Sequence, residues 1–581
     1  MNWSRRHAHG MLQSGCDDET RSTVGTLAVI AALFIFLPDS AAFSAPGGDG
    51  GKAAAPSRVE TGSAPAQAKQ APPARFDIDD FAVEGADRLS QVEVEEAIYP
   101  FLGPRRTAED VEKARAALEK AYHDKGFQTV AVSVPTQSAQ SGLVVLKVVE
   151  MKVGRLRVKN ARFFDIDKIK EKAPSLREGT VPNFGEISKD IIALNQWPDR
   201  RVTPALRAGV APGTVDVDLN VDDTFPFHVS AGLDNRRSPN TTALRATGTV
   251  RYENLWQLGH SVSFTYQVAP GRRADQEVFS GSYLARIPDV DNVAILFSGL
   301  KSTSDVATVG GVNVVGPGET VGARAVISLP SAETLYHSLS AGLDYKHYGE
   351  RVRTESSTFS SPIRYFPFVV NYGGVYQTDD FTTHLGVSLT INFRPPSSDE
   401  TSFDRKRSYS SGRFTHFNLD LSHLQELPLG FQAYGRFVGQ IADGPLVSSE
   451  QISVAGLDNV RGYLESEVLG DNGLVVNAEL RSPDMGGMLQ DAIKREAGEE
   501  TPPLIFNEGR LFGFFDKGVA EVRYPAAEEQ AHFNLWSFGF GARLKMFDHV
   551  NGLLVYSTPM VDQTYTRAKE PRVNFRVWGE F

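Results

Sequence analysis

The sequence predicts an all-β transmembrane barrel of sixteen antiparallel strands, preceded by two small α+β modules. Three observations carry this. From Phe225 onward helical periodicity disappears, and short segments of alternating polarity follow one another to the last residue. Between Arg75 and about Asp223 an order of strand, two helices and two strands occurs twice. The body of the 581-residue chain holds no apolar run of the ~20 residues that a membrane helix needs, although 41% of its residues are hydrophobic.

The amino-terminal part reads in two steps. Residues 1–42 read as a signal peptide: Arg5, Arg6 and Arg21 precede the apolar segment Thr26 to Leu37, and Ser40-Ala41-Ala42 offers a small-residue cleavage site. A membrane anchor is the alternative, but the run is shorter than a span. Cleavage after Ala42 would remove Cys16, the chain's single cysteine, and with it any disulfide or thiolate metal site. Residues 43–74, rich in Ala, Gly, Pro, Ser and Gln, read as a flexible tether.

The first module spans residues 75–151. A strand near Phe81 and Val83 leads to two helices. The second starts at Thr107, with Asp110 three residues on as a capping-box variant, and carries the stripe Val111, Ala114, Leu118, Tyr122. Gly126 ends it. Val130, Val132 and Val134 then alternate as a strand that Pro135 stops, and Leu143 to Val149 makes another. The second module, 152–225, repeats the order. A strand at Leu156 to Val158 precedes a helical stretch near Ile166 to Lys172. A helix with Phe184, Ile187, Ile191 and Leu194 follows, terminated by Pro198. Strands near Val202 to Leu206 and Val215 to Val221 close the unit.

The barrel occupies residues 226–581. Its sixteen segments begin near 226, 243, 259, 276, 292, 319, 334, 362, 380, 413, 429, 473, 509, 534, 549 and 572. The last strand sets Val573, Phe575, Val577, Gly579 and Phe581 on one face, opposite Arg572, Asn574, Arg576, Trp578 and Glu580. That pattern suits a wall between lipid and an aqueous interior. Between the eleventh and twelfth strands lies a long segment, 442–472, too long for a simple turn. It contains Val460-Arg461-Gly462-Tyr463, and the thirteenth strand carries Phe514-Phe515-Asp516 followed by Gly518. An arginine inside a lumen needs a fixed carboxylate, to which a guanidinium fork can donate two parallel hydrogen bonds.

These motifs resemble the VRGY/F and F-x-D signatures of the BamA-type outer-membrane superfamily. In that superfamily the sixth outer loop folds into the lumen and its arginine meets an acidic wall residue. The resemblance therefore implies a latch of Val460, Arg461, Gly462 and Tyr463 against Phe514, Asp516 and Gly518. The two modules resemble POTRA domains of the hemolysin-activator type. Val134-Pro135-Thr136-Gln137 with Gly142 resembles the first module's P-x-Q and turn; Pro198 to Val202 and Gly209 to Asp216 resemble the end of the second. Two such modules before sixteen strands are similar to two-partner-secretion transporters, over residues 75 to 581.

The resemblance implies a Gram-negative outer-membrane translocator with periplasmic POTRA domains that capture an unfolded exoprotein client. Its further partners would be outer-membrane lipid and, during biogenesis, the barrel-assembly machinery. Phe575, Val577 and the terminal Phe581 would form the sorting signal that this machinery reads. An insertase or a passive porin are the alternatives. Two modules rather than five weigh against the first; the modules and the motif pair weigh against the second.

Enzyme signals are weak. Gly259-His260-Ser261-Val262-Ser263 lacks the closing glycine of a nucleophile elbow, and Gly539-Phe540-Gly541 lacks a third glycine. No catalytic residue, cofactor or metal is assigned. The net charge of −11 argues against a nucleic-acid partner.

Overall fold

The computed structural model describes residues 75–581 apart from 138–141, 196, 198, 289, 291, 304–305, 310–311, 316, 331–333, 354–357, 394–395, 489, 492–505 and 526–529. The signal-peptide and tether readings, and the Pro198 stop, lie outside the described residues. The described chain forms two compact units, divided between Thr224 and Phe225.

In the first unit, β1 (Phe76–Ile78) and β2 (Asp80–Glu84) precede α1 (Gln91–Ile98), β3 (Gly103–Arg106), α2 (Ala108–Asp124), β4 (Val130–Ser133) and β5 (Leu143–Glu150). The central strand β5 pairs in parallel with β2 and antiparallel with β4; β1 and β3 form a separate pair. Both helices start with a capping box, Ser90 with Glu93 and Thr107 with Asp110. The predicted stripe of α2 is wholly buried, with Leu118 and Tyr122 at 0% exposure. Leu118→Ala removes a fully enclosed isobutyl group and is expected to cost about 2–5 kcal/mol. Urea unfolding of the 75–224 fragment checks this.

The strand β4 is shorter than the alternation predicts: it ends at Ser133, and Val134 is exposed. The ladder continues by other means. The Gln137 side chain donates to the Val145 carbonyl at 2.8 Å and accepts from its N–H at 2.7 Å, standing in for a strand residue after Pro135.

The second module has β6 (Lys152–Lys159), α3 (Ile166–Glu171), α4 (Phe184–Leu194), β7 (Arg200–Ala208) and β8 (Thr214–Asp223), with β8 central. Ile187 and Leu194 bury as predicted, but Phe184 does not. It is the first residue after the Asn183 cap and sits outside the packed turns. Asn183 also joins the modules. Its side-chain amide donates to the Lys125 carbonyl at 2.8 Å, and the Phe184 N–H donates to that of Gly126 at 2.9 Å. Gly126 has φ +93°, and a side chain there would strike Asn183.

The second unit is a closed antiparallel barrel. Its first strands are β9 (Phe227–Asp234), β10 (Arg245–Leu255), β11 (His260–Val268), β12 (Glu277–Arg286) and β13 (Val293–Ser302). An outer hairpin, β14 (Val306–Val309) and β15 (Val312–Val315), leads to β16 (Gly318–Ser328) and β17 (Leu335–Arg353). The eighth wall position is one strand in two parts, β18 (Thr358–Tyr365) and β19 (Pro367–Gln377), both paired to β17. It breaks before Pro367, which has no N–H to give a ladder. Then come β20 (Phe381–Asn392), the loop helix α5 (Glu400–Lys406), β21 (Phe414–Glu426) and β22 (Gln432–Ala442). A two-residue pair, β23 (Ile452–Ser453) with β24 (Leu469–Gly470), precedes β25 (Asn472–Arg481), β26 (Phe506–Glu521), β27 (His532–Met546), β28 (Val550–Pro559) and β29 (Arg572–Glu580). Counting β18 with β19, the wall has sixteen positions.

The seam closes where β29 pairs with β9, from Arg576 opposite Asp234 to Glu580 opposite Ser230. The terminal Phe581 and Val229 exchange two backbone bonds of 2.9 Å. Beyond the ladder the Asn235 side chain donates to the Val573 carbonyl and accepts from the Phe575 N–H, each at 2.9 Å. Closure leaves no open strand edge along the wall, which a lipid environment requires. Side-chain parity is plain on β26: Leu511, Phe515 and Val519 face outward, while Phe512, Phe514, Asp516 and Ala520 are buried inside. No helix among the described residues is long and apolar enough to cross a membrane; the barrel would cross with strands.

Candidate functional site: the lumen loop and its wall partners

Residues 443–471 connect β22 to β25, and their tip lies buried within the barrel. A tight turn shapes that tip. Gly456 has φ +127°, the Asn459 N–H donates back to Gly456 at 3.1 Å, and Val460 bridges to Ala455. This turn presents Arg461 to the wall.

Arg461 Nε donates to Asp516 Oδ2 and Nη2 to Oδ1, both at 2.8 Å, a bidentate fork. The Arg461 backbone N–H adds a third bond to Oδ2 at 3.1 Å. Asp516 is 0% exposed, so its carboxylate has exchanged water entirely for these donors. The guanidinium also lies 3.6 Å from the Phe514 ring centroid, a cation–π contact. Phe514 and Asp516 share the inner face because they are two apart on a strand, whereas Phe515 between them points out.

The other motif residues have equally specific places. Val460 is fully buried against Gly518, where a Cβ would come within 2.7 Å of Val460 Cγ2. Gly462 holds φ +93° against Pro559, where a Cβ would meet the ring at 3.1 Å. Tyr463 Oη lies 3.2 Å from the carbonyls of Trp536 and Val561, to one of which it donates, and accepts from the Val561 N–H at 3.0 Å.

Sequence reasoning missed most of the charge network around that pair. Arg461 Nη1 donates to Glu479 Oε1 at 2.5 Å. Glu479 Oε2 in turn accepts from Arg481 Nε at 3.1 Å and Arg543 Nη2 at 3.3 Å. Asn477 Nδ2 donates to Asp516 Oδ1 at 2.8 Å and to the Asn459 carbonyl at 2.6 Å. A signal was present: Asn477, Glu479 and Arg481 alternate with apolar residues on β25, the mark of a lumen face. At the turn itself, Asp458 accepts from Arg236 of the first loop at 2.9 Å, and Arg436 donates to the Asp458 carbonyl at 2.6 Å. Together these bonds hold the loop tip inside the barrel, where Arg461, Asp516 and Glu479 are all buried.

Of the three residues proposed to carry a sorting signal, Phe575 and Val577 lie on β29 and Phe581 directly follows it. Val577 and Phe581 are exposed on the outer face, at 46% and 68%, and Phe575 is half-buried. No cluster of metal-ligating side chains occurs among the described residues.

Comparisons with known proteins agree with this architecture. Residues 213–544 match the family model for the haemolysin secretion/activation protein ShlB/FhaC/HecB, and residues 76–150 match the ShlB-type POTRA domain. The chain is 21% identical over 394 residues to the heme/hemopexin transporter protein HuxB of Haemophilus influenzae strain 86-028NP, covering 66% of this chain and 67% of that one. It is 25% identical over 399 residues to the hemolysin transporter protein ShlB of Serratia marcescens, covering 65% and 68%. Among solved structures, CdiB from Escherichia coli superposes with a TM-score of 0.61 at 16% identity, over 89% of this chain and 93% of that one. BamA from Haemophilus ducreyi lacking POTRA domains 1–3 gives 0.52 at 11% identity, over 88% and 100%. The chain belongs to the haemolysin secretion/activation family: it is an outer-membrane β-barrel transporter of two-partner secretion, with its POTRA domains in the periplasm.

Proposed function

We propose that an unfolded exoprotein docks on the POTRA modules and passes through the barrel lumen once the lumen loop has left Asp516. The observation that carries this is the buried Arg461–Asp516 fork, because it holds a loop where a passing chain would have to go. Gating by such a network needs no bound nucleotide or metal. It needs only a client whose contacts with the wall replace those of the loop.

Capture is supported by the strand edges. Three of the four outer edges carry caps. Arg115 and Glu119 of α2 bond the Val132 carbonyl and N–H of β4. On β6, Val153 exchanges backbone bonds with Gly179 and Thr180. On β7, Asn195 holds both backbone groups of Val202, and Pro204 lacks a donor. The edge of β2 is covered by no other element among the described residues; its Phe81 N–H is bonded only by the neighbouring Asp80 carboxylate, at 2.8 Å. An extended client segment adding there would gain backbone bonds and displace only that one local contact.

A photo-crosslinking residue at Glu84 on β2 should therefore trap a stalled client in the full-length transporter, and the same probe at Thr203 on β7 should not. Equal trapping at both, or none at Glu84 while secretion proceeds, would refute the assignment. Outer-membrane lipid would contact the apolar outer face, which includes Leu343, Leu480, Phe540 and Leu554. The barrel-assembly machinery would read the Phe575, Val577 and Phe581 face during biogenesis.

A further inference from the structure

The lumen loop has two roots as well as a tip, and the roots are held by a separate set of groups. Asp471, the last residue before β25, is 0% exposed. Its Oδ1 accepts from the Leu446 N–H at 2.8 Å and from Gln451 Nε2 at 3.1 Å, both in the loop's first root. Its Oδ2 accepts from Arg407 Nη2 and from the Arg523 N–H, each at 2.7 Å. Those donors come from the two flanking outer loops, 393–413 and 522–531. Every lone-pair site of the carboxylate is thus filled from three loops.

The first root has its own carboxylate. Glu450 is buried and accepts from Lys346 Nζ and Tyr365 Oη, each at 2.6 Å, while His416 Nε2 lies 3.2 Å away. One side chain ties the roots together: Gln440 Nε2 lies within bonding distance of the Glu450 carbonyl at 2.9 Å and the Asp471 carbonyl at 3.1 Å. Leu446 and Val447 are 0% exposed in an apolar cluster that includes Phe403 of α5. Beyond the roots, β23 and β24 pair and close the neck.

We infer that this outer assembly stays shut during secretion and acts as the hinge of the lumen loop, with Glu450 and Asp471 as its positioning residues and the segment beyond the β23–β24 neck as the moving flap. The inference rests on the reading that the tip leaves Asp516. Clearing the lumen requires the tip bonds to break. Releasing the roots as well would strand two more buried carboxylates and open an apolar cluster, for no further clearance at the tip. Retained roots also return the flap to one register, so that Arg461 finds Asp516 again after each client.

The test uses the full-length transporter with Cys16→Ser and two alternative cysteine pairs, each bridged by a short reducible bis-thiosulfonate reagent. Tyr409→Cys with Tyr524→Cys joins the two flanking loops, where the exposed rings lie 5.7 Å apart. Arg236→Cys with Asp458→Cys joins the flap to the first outer loop, next to β9. The outer bridge is expected to leave secretion at the level of the reduced protein. The flap bridge is expected to abolish it until reductant is added. An outer bridge that blocks secretion reversibly overturns the hinge. A flap bridge that leaves secretion intact overturns the tip-release reading instead, whatever the outer bridge does. Should a cysteine pair fail to give a heat-modifiable barrel, Arg407→Gln and Arg407→Lys decide: loss of secretion with raised resting conductance in the first and retention in the second supports the hinge. Wild-type secretion and conductance in Arg407→Gln overturns it.

Discussion

Arg461→Ala is expected to lower barrel stability by about 3–5 kcal/mol and to cut secretion severely, because it leaves the buried Asp516 carboxylate without its cation. Asp516 would lose three of its four donors' geometry at once: the two fork bonds vanish, and the backbone bond depends on the loop remaining in place. Glu479 would keep Arg481 and Arg543, so the damage centres on Asp516. Arg461→Lys separates charge from shape. An ammonium keeps the cation but cannot span both carboxylate oxygens or lie flat on Phe514, so an intermediate defect is expected. Heat-modifiable migration and the yield of secreted client read the two effects. Wild-type values for both in Arg461→Ala would remove the latch from the mechanism.

Gly518→Leu is expected to give a comparable loss of secretion with every charge of the network still present. The first added carbon would already sit 2.7 Å from Val460 Cγ2, and the remainder of the side chain has only the fully buried Val460 and Val454 to displace. Overpacking of this kind ordinarily costs about 1–3 kcal/mol. Here it also pushes Val460, and with it the adjoining Arg461, away from Asp516. Resting conductance in planar bilayers should rise, and Gly518→Ala should lie between Gly518→Leu and the native protein. Unchanged conductance in Gly518→Leu would mean that the close approach of Val460 does not set the loop's position.

The two variants also measure what kind of device the plug is. If charge alone held the loop, Arg461→Lys would be mild and Gly518→Leu milder. If fit alone held it, the order would reverse. The geometry predicts that both are impaired, since the fork forms only where Val460 meets Gly518 and the Gly462 backbone clears Pro559.

Much of this was legible along the chain, for identifiable reasons. Strand starts on the wall depend on local alternation and turn residues, so β9, β13, β17 and β29 begin within one residue of their expected positions. The α2 stripe of Val111, Ala114, Leu118 and Tyr122 is a 3.6-residue pattern that needs no tertiary context. The motif residues Arg461 and Asp516 were legible through their resemblance to the VRGY/F and F-x-D signatures, and strand parity then puts Phe514 and Asp516 on one face.

Other features were not, because they join residues distant in sequence through side chains with many possible partners. Gln137 substitutes for a strand residue only because Val145 lies beside it. Asn183 caps α4 by local rules, yet its second bond, to Lys125, exists only in the folded pair of modules. Glu479 is an ordinary lumen carboxylate until Arg461, Arg481 and Arg543 converge on it.

What the sequence determined by itself was periodicity: which segments are strands, which face of each is apolar, and where a long loop must leave the wall. Periodicity is local, and a chain writes it down residue by residue. The tertiary structure alone decided where that loop goes and what holds it. Barrel closure brings β25, β26 and β27 around one point, and only there do a tip at Arg461 and roots at Glu450 and Asp471 find the groups that hold them.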